Sequence, residues 1–362
     1  MKHRLASTLV IVLIVLGVVL LAGCATTVRV RHLVPAQIDM SDYRGVALAS
    51  TEPYNFGFLG YPPSTVRDYT GNSGYKIATG FGYFTESQIA RYVTNEILRG
   101  LNNTDYFTVL PPAQTDTIIK GKNLGYTTAE MFTRNGITAL FTNSIDFMDI
   151  EEYIYAIEKE MLVTVHPVTG AVLNPAEKHI VKTYHLMQKV AVTFTYEITD
   201  VRTGRSVLSK TQTVRRERTY DLTGKPLTGY VAPSLQPWIE SMLDEIIDPL
   251  VYSIAPRWET SYLSLMPNKP EISRLEFAWE EVRRGNLGIA KEAFIEEWNK
   301  SQHIPSGYNA ALLMEALGDI DEGIALMDQV YRRSGNSNVY GMLLKMRQRA
   351  EDQKRAETQM GF

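Results

Sequence analysis

The stretch Val190-Ala191-Val192-Thr193-Phe194-Thr195-Tyr196-Glu197-Ile198-Thr199-Asp200-Val201-Arg202-Thr203-Gly204-Arg205-Ser206-Val207-Leu208 decides the reading of the fold. Val190, Val192, Phe194, Tyr196 and Ile198 alternate with Thr193, Thr195 and Glu197, the period of a half-buried strand. Asp200-Val201-Arg202-Thr203-Gly204 supplies a turn, and Ser206–Arg215 returns as the partner strand, so the segment is a β-hairpin.

Upstream, Tyr43–Ala49 reads as a first strand. Thr85 is placed as an N-cap with Gln88 three residues on, a capping box, and Ile89, Val93, Ile97 and Leu101 then mark one apolar helical stripe. Gly100 and the pair Asn102-Asn103 end it. Tyr106–Leu110 is a short strand closed by Pro111-Pro112, and Thr117–Gly121 reads as the start of another. Downstream, Trp238, Met242, Ile246, Ile247, Leu250 and Val251 define an amphipathic helix that Pro256 terminates. Strands with helices between them predict an α+β class, a mixed sheet with flanking helices.

Two segments resist this pattern. Thr51–Phe84 is rich in glycine, proline and aromatic residues, and a connection of this length is characteristically a functional loop. Its Tyr54, Phe56, Phe58, Tyr61, Tyr75, Phe81 and Tyr83 are the candidate partner-binding residues; the competing reading folds these rings back onto the sheet. Between Tyr126 and Met187, Ile150, Tyr153, Ile154, Ile157 and Met161 suit a helix, yet Tyr153, Tyr155 and Ile157 alternate as in a strand. Periodicity leaves both open.

From Pro270 the texture becomes helix–turn–helix. Gly285 and Gly318, Leu287 and Ile320, Ala290 and Gly323, Phe294 and Met327, and Trp298 and Tyr331 each stand 33 residues apart. That is close to the roughly 34 residues of a tetratricopeptide repeat. Ala278 and Ala311, each seven residues before its glycine, take the small-residue position where paired helices approach closely. The module resembles two tetratricopeptide repeats and a cap over 268–350, with Ala278, Gly285, Ala290, Phe294, Ala311 and Gly318 as packing residues. Residues 351–362 read as a polar, fraying tail.

The chain opens with Lys2 and Arg4, an apolar run Leu9–Leu21, and Leu21-Ala22-Gly23-Cys24, which holds the single cysteine. A basic stretch, an apolar core and small residues before a cut describe an export signal, and the cysteine after the cut is a lipid-attachment site. Residues 1–23 are thus expected to be removed, leaving acylated Cys24 and a tether over 24–42. A permanent membrane span is the competing reading, since a span needs about 20 apolar residues. Ala25 stands where an inner-membrane retention signal would place Asp, which favours the outer membrane's periplasmic face.

Removal of 1–23 takes away two bases and no acid from a chain of net charge −3, and no basic run marks a nucleic-acid surface. With its only cysteine acylated, the protein gains no disulfide and has no thiol nucleophile. His32, His166, His179, His185 and His303 fall in no metal-ligand spacing, and Gly-x-Ser-x-Gly does not occur. Neither catalysis nor a cofactor is expected.

The order of strand, amphipathic helix, short Phe-containing strand, Thr117–Gly121 and the Ile198–Leu208 turn region resembles the α/β domain of the curli-secretion lipoprotein CsgG. It is also similar to the N-terminal domain of TolB and to the penicillin-binding-protein activator LpoB. The resemblance spans Tyr43–Ala255 and implies one α/β domain over 43–256. It implies action through other envelope proteins, as an adaptor or accessory subunit in envelope assembly or transport, with oligomerisation open. Pore-forming members add membrane hairpins in the region of Tyr126–Met187. Here Glu158-Lys159-Glu160 would put charge on both faces of such a strand, which disfavours the alternative of an oligomeric secretion channel.

Overall fold

The computed structural model describes residues 26–54, 65–68, 77–78, 85–121, 126–162, 164–165, 170–172, 174, 178–225, 227 and 230–361. In chain order the elements are β1 (Thr27–Val34), β2 (Gly45–Leu48), β3 (Thr65–Asp68), β4 (Ile77–Ala78), α1 (Glu86–Asn102), β5 (Thr108–Leu110), α2 (Pro112–Lys120) and α3 (Thr128–Arg134). They continue as β6 (Ala139–Met161), β7 (His179–Asp200), β8 (Ser206–Asp221), α4 (Gln236–Ile254), β9 (Arg257–Ser264), α5 (Glu276–Arg284), α6 (Leu287–Ser301), α7 (Ile304–Leu317), α8 (Ile320–Ser334) and α9 (Ser337–Met360). They form two units. One is Ala36–Ala255; the other combines the chain up to Pro35 with Pro256 onward. The protein is α+β, a mixed sheet with flanking helices followed by a helical array.

In the first unit β6 is the axis. One edge of β6 pairs in parallel first with β2 and, farther along, with β3, while its other edge pairs antiparallel with β7, which pairs with β8. Val190, Val192, Phe194, Tyr196 and Ile198 are all buried, as the alternation requires. Helices α1 and α4 pack against each other and α4 against β7, bringing Ile89, Val93, Ile97, Ile239, Leu243 and Ile246 out of water. The α1 start is the expected capping box: Thr85 Oγ1 accepts the Gln88 N–H, and Gln88 Oε1 accepts the Thr85 N–H at 2.8 Å. Tyr92 donates its hydroxyl to Asp244 across the helix pair at 2.7 Å, and burial first, then this bond, push the phenol pKa up.

Two local expectations change. Thr117–Gly121 is not a strand: α2 covers Pro112–Lys120, with Pro112 at its first position. Proline there is preorganised for helix, and a two-residue Ile-Ile run is too short for its period to be read. Ile118 is buried whereas Ile119 is 40% exposed, as adjacent helical positions diverge. The open segment around Asp149–Met161 is strand throughout, paired from Ala139↔Asp200 to Met161↔His179. A bulge between Ile145 and Phe147 shifts which residues face inward, from Phe141, Asn143 and Ile145 to Met148, Ile150 and Ile154. That one-residue slip is why no single period fits β6.

The second unit overturns the tether over 24–42. Residues Thr27–Val34 form β1, antiparallel to β9 in the register Thr27↔Ser264 to Val34↔Arg257. Val28 and Val30, with Leu263 and Leu265, join the core of the helical array. The unit therefore joins the strand Thr27–Val34 to the segment from Pro256 onward, and the α/β unit begins at Ala36 rather than at residue 43. The fraying tail is overturned as well, because α9 runs to Met360 and Ala350 and Ala356 are buried. Its residues are good helix formers, and i,i+4 hydrogen bonds from Gln348 to Asp352 and from Gln353 to Glu357 support the helix.

His32 on β1 is 7% exposed, with Nδ1 unpartnered. Burial, aided by the Arg349 charge, lowers its pKa from 6.5 against weaker opposing pulls from Glu259, Glu315 and Asp352. The unfolded chain then binds the proton more readily, so the stability tied to neutral His32 is complete above 6.5 and is lost as pH falls below that value. We expect the thermal midpoint to drop on acidification through this window and the drop to shrink in His32→Gln. An unchanged pH profile in the variant would exclude His32 as the source.

Candidate functional site

Of the aromatic residues singled out in the Thr51–Phe84 segment, Tyr54 lies in the described structure; Phe56, Phe58, Tyr61, Tyr75, Phe81 and Tyr83 lie outside the described residues, as does Cys24. Tyr54 meets Phe147 edge to face, with ring centroids 6.0 Å apart. Phe147 sits just past the β6 bulge, is 41% exposed, and forms one wall of a depression of about 490 Å³ on the sheet.

Ala191 of β7 contributes to that depression, and Asp149, Glu151, Lys189, Arg215 and Glu217 bring both signs of charge to it. The strand register explains the grouping: Asp149 stands opposite Ala191, Glu151 opposite Lys189, Ala191 opposite Arg215 and Lys189 opposite Glu217. Lys189 Nζ lies 3.5 Å from Glu151 and 5.5 Å from the Tyr153 ring centroid. The Tyr153 hydroxyl first, and Glu151 after it, raise the Lys189 pKa, so the amine stays protonated and is no nucleophile at neutral pH.

On the opposite face of the same strands lies a polar knot that periodicity alone does not disclose. Gln188 is wholly buried; its amide donates to the Glu152 carboxylate and to the Pro233 carbonyl at 2.9 Å. Arg218 Nε donates to Gln188 Oε1 at 2.9 Å and another guanidinium nitrogen to the Ser234 carbonyl at 3.0 Å, while the guanidinium lies 4.2 Å from the Trp238 ring centroid. Every polar atom of the Gln188 amide is thus engaged, and the knot ties the chain before α4 to the sheet. Its glutamine, arginine and glutamate are far apart in sequence and only strand register joins them.

The repeat residues are structural. Ala278, Ala290, Phe294 and Ala311 are fully buried. Gly285 and Gly318 cap α5 and α7 at φ +83° and +100°, a left-handed conformation that accounts for glycine at both. Gly323 faces Ala311 closely: a Cβ there would lie 2.8 Å from the Ala311 carbonyl oxygen.

A second surface lies on the β1–β9 ribbon. Its outer face carries Arg29 and Arg31 beside Trp258 and Tyr262, which are 54% and 70% exposed, with Arg31 4.6 Å from the Trp258 ring centroid. The alternation Val28-Arg29-Val30-Arg31 carries the signal for it, inside the segment expected to be a tether over 24–42. Among the described residues no group of three or more His, Cys, Asp or Glu is disposed to hold a metal, and no helix is long and apolar enough to cross a membrane.

No protein-family model matches the chain, and no curated protein matches it. Among solved structures, a PelC dodecamer from Paraburkholderia phytofirmans is similar at 11% identity and TM-score 0.24, over 61% of this chain and 96% of that one. A point variant of that dodecamer is similar at 12% identity and TM-score 0.24, over 62% and 99%. Likeness of this degree supports no inference about this chain's fold or function.

Proposed function

We propose that the chain is an envelope lipoprotein, anchored through acylated Cys24 at the periplasmic face of the outer membrane. It acts as a protein-binding adaptor or accessory subunit in envelope assembly or transport, without catalysis or cofactor. The carrying observation is the position of Cys24: cleavage before it leaves only Ala25 and Thr26 ahead of β1, so the mature chain starts where its folded body starts. A membrane-spanning segment in place of a cleaved signal would have no need of small residues and a cysteine at that point.

The adaptor reading is favoured over a channel by the charges of the β6–β7 hairpin. Glu158 and Lys182 pair at 3.8 Å, Lys178 reaches Glu160 at 3.4 Å, and Glu151 pairs with Lys189, so charge stands on both sides of the stem. A barrel wall keeps one side apolar at mid-membrane. The channel remains the second reading because the far end of the same hairpin exposes Leu162, Val172 and Ile180. Stepwise conductance of the acylated protein in planar bilayers, abolished by shortening the hairpin, would replace the adaptor with the channel.

Cys24→Ser tests the anchor. The variant is expected to take up no fatty-acid analogue in metabolic labelling and to accumulate as unlipidated protein with a folded body. Label retained in Cys24→Ser would end the lipoprotein reading. Crosslinking followed by pull-down of the acylated protein from its own envelope then identifies what the adaptor holds.

A further inference from the structure

We infer that the outer face of the β1–β9 ribbon is a phospholipid-contact surface that lays the helical unit on an anionic membrane; this rests on the reading of Cys24 as the anchor. Two residues, Ala25 and Thr26, separate Cys24 from Thr27 at the start of β1. Fully extended, the three Cα-to-Cα steps from Cys24 to Thr27 span about 10 Å, so an acyl anchor at Cys24 holds the ribbon at headgroup depth and leaves no spacer to lift it away.

The ribbon's inner face is committed to the helical core through Val28, Val30 and Leu263. On the outer face, Arg29 stands opposite Tyr262 and Arg31 opposite Thr260, with Trp258 and Ser264 at its two ends. No acidic residue belongs to this face, and neither arginine forms an ion pair with a carboxylate among the described residues. Trp and Tyr concentrate at membrane–water interfaces, where the ring is half in apolar surroundings and its polar edge is wet. Arginines near an anionic leaflet gain a favourable electrostatic term. Exposed Trp258 and Tyr262 flanked by two carboxylate-free arginines combine these two requirements on the one face that the anchor brings to the lipid.

The test couples the mature, unacylated chain through its single cysteine to a maleimide-headgroup lipid. The vesicles are phosphatidylethanolamine and phosphatidylglycerol, with or without brominated acyl chains. Bromine is expected to quench a part of the tryptophan emission that is missing in Trp258→Phe, and Arg29→Glu with Arg31→Glu is expected to abolish that quenching. Both variants alter exposed side chains, and circular dichroism checks that they fold. Trp258 as open to aqueous iodide on the vesicle as in solution would overturn the inference. So would a Trp258-dependent dimer in sedimentation, which would make a second copy the occupant. Because the chemical link stands in for the natural anchor, the two readings fail separately: absence of acylation in cells defeats the anchor, and an unshielded Trp258 defeats the surface.

Discussion

Arg349→Ala is expected to destabilise the helical unit by about 3–5 kcal/mol, the usual cost of removing one partner from a buried ion pair. The Arg349 guanidinium is bidentate on Glu315, Nε to Oε1 at 2.6 Å and the second nitrogen to Oε2 at 2.7 Å, and both residues are buried. The pair joins α7 to α9 from inside the array, and loss of the arginine strands a carboxylate in a site closed to water. Replacing both, Glu315→Leu with Arg349→Met, should recover most of the loss, because an apolar pair of similar volume needs no desolvated charge. Chemical denaturation of the mature protein and the two variants checks this. If the single and double variants unfold alike, the pair is not the source of the effect. Through α7 and α9, which both contact β1, the pair also supports the ribbon proposed to meet the membrane.

Ala311→Trp should be the next most damaging change, costing at least the 1–3 kcal/mol typical of overpacking a filled core. Ala311 has no exposed surface, and α8 approaches so closely at Gly323 that even a methyl group there would crowd the Ala311 carbonyl at 2.8 Å. Gly323→Ala should therefore destabilise too. Gly288→Ala, where a Cβ meets nothing within 4 Å, should be neutral or slightly stabilising, since alanine has the higher helix propensity. Thermal unfolding of the three variants measures the difference. Ala311→Trp at wild-type stability would mean that α7 and α8 do not pack by the 33-residue register shared by Gly285 and Gly318.

Local chemistry written in consecutive residues was legible beforehand. The β7 alternation, the Asp200–Gly204 turn, the Thr85 capping box and the glycine-capped helical repeats each draw on side chains within one or two turns of the chain. The Asp200 turn shows why: Oδ1 accepts the Arg202 and Thr203 N–H groups at 2.8 Å, bonds the residues make whatever surrounds them. The aromatic segment could be named as a candidate surface from composition, but Phe147, which meets Tyr54, could not. It reaches that place only because a bulge in β6 turns it outward.

The sequence by itself thus determined the strand alternation of β7, the helix start at Thr85, the repeat of the helical array and the composition that singles out Cys24. Tertiary structure decided the rest. β6 is a strand because β7 offers a complementary edge over its whole length, and β1 is a strand because β9, more than two hundred residues away, supplies its hydrogen bonds. The last turns of α9 hold because Ala356 finds a buried place in the folded unit. In each case a short or mixed pattern has two local solutions of nearly equal free energy, and the partner that separates them is distant in the chain and near only in the fold.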